Sequence, residues 1–62
     1  MEKLDLYITI DYNSQFTQIW AVDFGFKRKF IFHDTDEAME IFKSDICKEY
    51  NLNFDKINLV VI

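Results

Sequence analysis

Few side chains in these 62 residues have types and spacing that could do chemistry. Asp5, Asp11 and Asp23 are one set, because convergent carboxylates can hold a divalent cation for phosphodiester cleavage. Asp5 and Asp11 stand six residues apart in an alternating segment, about 20 Å at strand spacing, so one ion cannot take both. The single histidine, His33, precedes Asp34, and a carboxylate-oriented imidazole is a useful base only beside a nucleophile and a pocket. The serines are Ser14, in a turn-like segment, and Ser44, on the polar side of a helix-like one. Cys47 is the one cysteine; it cannot form an internal disulfide, and with one histidine it excludes a four-ligand zinc site. On this reading the chain is not an enzyme, with no catalytic residue, metal or cofactor assigned. A minimal metal-dependent nuclease is kept as the remote alternative.

Lys27-Arg28-Lys29 among Phe26, Phe30 and Phe32 has the outline of a basic, aromatic strand that stacks bases. Alternation places Arg28 with the phenylalanines, where rings serve a core better than a base. Eleven acidic against seven basic residues give a net charge of −4, which argues against direct nucleic-acid binding, where phosphate neutralisation supplies much of the affinity. The block reads either as protection of a sheet edge or as a phosphate contact. One glycine, Gly25, and no proline remove glycine-rich phosphate loops and the nucleophile elbow. No apolar run approaches the roughly 20 residues of a membrane span, and a cytoplasmic location with no membrane partner is expected.

The elements that must position these groups follow from hydrophobic periodicity. Residues 4–12 alternate, with Leu4, Leu6, Ile8, Ile10 and Tyr12 on one face, which predicts a strand. Asn13-Ser14-Gln15 reads as a turn. A second strand is expected over 16–24, with Trp20 and Val22 facing inward, then a turn at Gly25 and a third strand over about 26–33. The period changes at Asp34, a helix cap with Glu37 three residues on. Ala38, Ile41, Phe42, Ile46 and Tyr50 then form one stripe, which predicts a helix over 35–50. Asn51 and Asn53 suit the exit, and 57–62 is a β-branched final strand.

The expected fold is therefore a single small α+β domain over 1–62, with element order β-β-β-α-β. It combines an antiparallel three-stranded meander, one helix packed on one face, and a last strand parallel to the first, in spatial order 3-2-1-4. Leu6, Ile8, Ile10, Trp20, Val22, Phe30 and Phe32 are expected beneath the helix. Tyr7, Thr9, Thr17, Ile19, Ala21, Ile31 and the lysines Lys27 and Lys29 are expected on the opposite face, where Tyr7, Ile19 and Ile31 could meet as an apolar patch. The last strand is an edge with no charge and no proline, so Ile57, Leu59 and Val61 form a candidate dimer edge.

Asp34-Thr35-Asp36-Glu37-Ala38-Met39, following three strands, resembles the β-β-β-α start of HicB-type antitoxins over about half of the chain. The glycine- and proline-rich turn of that family between strands two and three is missing here, and no site residue is carried over. The resemblance implies a homodimeric antitoxin or regulatory subunit as the alternative function. The leading expectation is a non-catalytic protein-binding module: a small acidic inhibitor of phage-like or anti-defence type that occludes a basic surface of a partner protein. Its expected contacts are Asp36, Glu37, Glu40, Asp45 and Glu49, with Tyr7, Ile19 and Ile31.

Overall fold

The computed structural model describes residues 3–31 and 34–62. Strand β1 (Leu4–Tyr12) is followed by β2 (Thr17–Ala21), β3 (Phe26–Phe30), helix α1 (Thr35–Tyr50), a short 3-10 turn at Phe54–Lys56 and β4 (Ile57–Val61). The four strands make one mixed sheet in the order β3-β2-β1-β4. β1 is antiparallel to β2 and parallel to β4, and β2 is antiparallel to β3. This is the expected α+β architecture, with one helix packed on the sheet.

Local chemistry places each boundary. The Asn13 side-chain oxygen accepts from the backbone N–H groups of Gln15 (2.8 Å) and Phe16 (2.9 Å), which closes the first turn. Gly25, at φ 65°, closes the second, and its N–H donates to the Ala21 carbonyl at 2.9 Å. Asp34 caps α1 by accepting from the Glu37 N–H at 2.7 Å. Asn51 ends the helix in the left-handed conformation, φ 56° and ψ 47°, and its N–H donates to the Cys47 carbonyl.

The second and third strands are shorter than the alternation suggests, because Val22 to Gly25 form a turn and Ile31 lies in a bend. Phe32 and His33, at the expected end of the third strand, lie outside the described residues. The 3-10 turn was not expected; Asn53 starts it by accepting from the Asp55 N–H at 3.1 Å.

The core lies between α1 and one sheet face. Ala38, Phe42, Ile46 and Cys47 from the helix meet Leu6, Ile8, Ile19, Ala21, Phe30 and Ile57 from the strands. Ile8, Ile19, Phe42 and Ile46 are fully buried, each contributing about 1.5–3 kcal/mol of hydrophobic transfer. Phe26 packs against Phe42 and Tyr50, with ring centroids 5.5 and 6.0 Å apart.

The facing of β2 is a correction. Ile8 pairs with Ala21, Ile10 with Ile19, and Tyr12 with Thr17, so Thr17, Ile19 and Ala21 lie under the helix and Trp20 faces away. Val22, also expected inside, is exposed in the turn. The cause is loop length. Four residues, 13–16, separate the paired Tyr12 and Thr17, whereas a strand beginning at residue 16 implies three. One residue of slip moves every side chain of a strand to the other face.

Candidate functional site

Among the described residues, the core leaves uncovered the solvent side of α1, the open sheet face and the outer edge of β4, with β3 as the opposite edge. The first is acidic. Asp36, Glu37 and Glu40 are exposed in the first half of α1, and Glu49 is exposed in its last turn. Asp45 is placed differently: its Oδ2 lies 3.8 Å from Arg28 Nε, with both side chains partly in water. That pair is weak, but it directs Asp45 toward β3 and not outward with the others. Arg28 also lies over the Phe26 ring at 5.0 Å, so its stem follows the apolar flank of the core while its charge stays at the rim.

The open sheet face does not assemble the expected apolar patch. Tyr7 is exposed there, but Ile19 is fully buried on the helix side. Ile31 is exposed beyond β3, whose Phe30 is level with Thr17 and hence with Tyr12. Tyr7 and Ile31 are thus about 20 Å apart along the strands.

In place of that patch stands an aromatic and cationic group. Trp20 is flanked by Thr9 and Lys27, and the Lys27 ammonium lies 4.7 Å from the Trp20 ring centroid. Lys29 lies over Phe16 in the same way, at 4.8 Å. Each ammonium is attracted by the negative face of a ring, worth about 0.5–1 kcal/mol at an exposed site. The sequence signal for this group was the spacing of the first hairpin, which decides on which side Trp20 falls.

The catalytic candidates are scattered. Asp5 accepts a hydrogen bond from the Asn58 amide at 3.1 Å, and Asp11 stands level with Gln18, toward the other end of β1. Among the described residues no three carboxylate, imidazole or thiol groups gather closely enough to hold a metal ion. Asp34 is engaged as the helix cap, and His33 lies outside the described residues. Ser14 and Thr17 line a concavity of about 530 Å³ between the first turn and the end of β3, with no carboxylate among its described lining residues. Cys47 is buried, and burial pushes its thiol pKa up, with Lys43 pulling weakly the other way. A thiol held protonated is a poor nucleophile.

The third surface is the edge. Ile57 is buried, Leu59 is half-buried and Val61 is 54% exposed, all on the helix side of β4. Beside Leu59 a groove of about 300 Å³ runs along α1, bounded by Asp36, Met39, Glu40 and Lys43. No helix among the described residues is long and apolar enough to cross a membrane. No family model, no curated protein and no solved structure matches this chain, so the likeness to HicB-type antitoxins stands on layout alone.

Proposed function

We propose that this protein is a non-catalytic protein-binding module, a small acidic inhibitor of anti-defence type that covers a basic surface of its partner. One observation carries the reading: the helix layer holds the larger acidic excess. Asp36, Glu37, Glu40 and Glu49 are exposed there beside Lys43 and Lys48, while on the far face of the sheet Lys27 and Lys29, over Trp20 and Phe16, are offset by Asp5 and Asp11. That excess lets a molecule of net charge −4 present a locally stronger negative field on its helix side, which steers encounter with a cationic surface. Binding would be steric in effect, with the helix layer filling a groove that the partner uses for its own anionic ligand.

The test starts with the tagged chain as bait in a lysate of the native host. The captured protein is then titrated against wild type and the Glu37→Lys/Glu40→Lys variant. Association is expected to slow by about tenfold or more in the variant and to weaken with added salt, with the circular dichroism of the chain unchanged. An affinity indifferent to both charge reversal and salt would overturn the proposal.

A further inference from the structure

We infer that β4 is a self-pairing edge, and that the partner fitted to it is a second copy of this chain, joined antiparallel about Leu59. The hydrogen-bonding pattern of β4 is the starting point. The Ile62 N–H donates to the Ile8 carbonyl at 2.9 Å, and β4 runs parallel to β1 with Leu6 opposite Leu59 and Tyr7 opposite Val60. Backbone groups in a strand turn to alternate sides, so Asn58, Val60 and Ile62 are directed at β1. Leu59 and Val61 therefore aim their N–H and C=O groups away from the sheet, as Ile57 does its carbonyl, its N–H being taken by the Phe54 carbonyl, and β4 is its last strand.

That outward row is self-complementary. A two-fold axis normal to the sheet at Leu59 lets each Leu59 exchange both backbone bonds with its counterpart. It also lets the Ile57 carbonyl of each copy accept from the Val61 N–H of the other, the Ile57 N–H staying with the Phe54 carbonyl. Their side chains all lie on the helix side, so pairing joins two apolar strips and covers Val61, now 54% exposed. No charged side chain occurs in Ile57–Ile62 to set like charges across the axis. The two helices then lie on the same face and run antiparallel. The Asp36 and Glu40 end of one groove rim is directed toward the Lys43 end of the other.

The opposite edge of the sheet argues for a closed pair. β3 carries Lys27, Arg28 and Lys29 in succession, and a run of cations on an edge opposes strand addition. Pairing β4 with β3 of another copy would set that run against an apolar strand and would not close. Pairing β4 with β4 leaves a cationic edge at each end, so assembly stops at two. An unrelated partner's strand could use the same groups, but nothing else on this edge selects one.

The experiment combines sedimentation equilibrium with amide hydrogen exchange on the full chain across a concentration series. Wild type is expected to approach twice the monomer mass, with the Leu59 and Val61 amides slowing by about tenfold or more as the dimer fills. Val61→Pro removes an outward donor without touching the β1 ladder, and Val61→Lys adds a charge at an exposed position; both should stay monomeric. Lys29→Ala, on the other edge, should dimerise like wild type. If Val61→Pro does not fold, Val61→Lys and the exchange pattern decide. A wild-type chain that is monomeric at every concentration would sink the inference, as would Leu59 and Val61 amides that exchange fast in a dimer.

Discussion

The Lys27 ammonium sits 4.7 Å from the centre of the Trp20 ring, on the sheet face that α1 leaves bare. Ile19, the residue before Trp20, is fully buried under the helix. The larger and more aromatic neighbour is thus the less buried one. Ile19→Ala should lower unfolding stability by about 2–5 kcal/mol, because it empties space the helix cannot collapse into. Lys27→Ala should cost only about 0.5–1 kcal/mol. Urea denaturation followed by the fluorescence of Trp20 measures both, and a milder effect at Ile19 than at Lys27 would reverse the face assignment.

Gly25 isolates a purely backbone cost. A Cβ placed there would meet nothing within 4 Å, yet φ is 65°. Gly25→Ala should therefore cost about 1–2 kcal/mol through left-handed strain alone. Asn51 shares that conformation at φ 56°, so Asn51→Gly should be nearly neutral while Asn51→Val is clearly destabilising. Thermal unfolding of the three variants checks the ranking.

Asp34 caps the helix start by accepting from the Glu37 N–H through its carboxylate at 2.7 Å and from the Ala38 N–H through its carbonyl at 2.9 Å. Asp34→Ala should lose about 1 kcal/mol, and Asp34→Ser should restore most of it. Equal losses in the two variants, measured by denaturation, would mean that the carboxylate acts otherwise than as a cap.

Cys47 gives a pH signature. Burial raises its pKa above the ordinary 9.0, so the unfolded chain gives up the thiol proton at lower pH than the folded one does. The thiol's contribution is then fully present below pH 9.0 and is lost as pH rises through the folded value. The stability difference between wild type and Cys47→Ala should shift against wild type above that pH. At neutral pH a thiol reagent should label native protein much more slowly than urea-unfolded protein. Equal labelling rates would show that the side chain is open to solvent.

Alternation alone marked β1 at Leu4–Tyr12, and a change of period with a capping aspartate marked α1 at Thr35–Tyr50. These signals are local, made by residues two to four apart, and so they survive without tertiary information. The strand order was legible as well, because a helix between the third and fourth strands brings the chain back parallel to the first. What the sequence misplaced was the face of β2, where Trp20 and Val22 were expected inward, because Ile19-Trp20-Ala21-Val22 is apolar at every position. Only pairing with β1 resolves it: Ile10 opposite Ile19 is a contact across the first hairpin, and one residue of loop length decides it. That choice buried Ile19 and exposed Trp20 to Lys27, and so set the character of the open face. Individual residues fix which elements form, while the register between elements decides which side chains the protein presents to anything it meets.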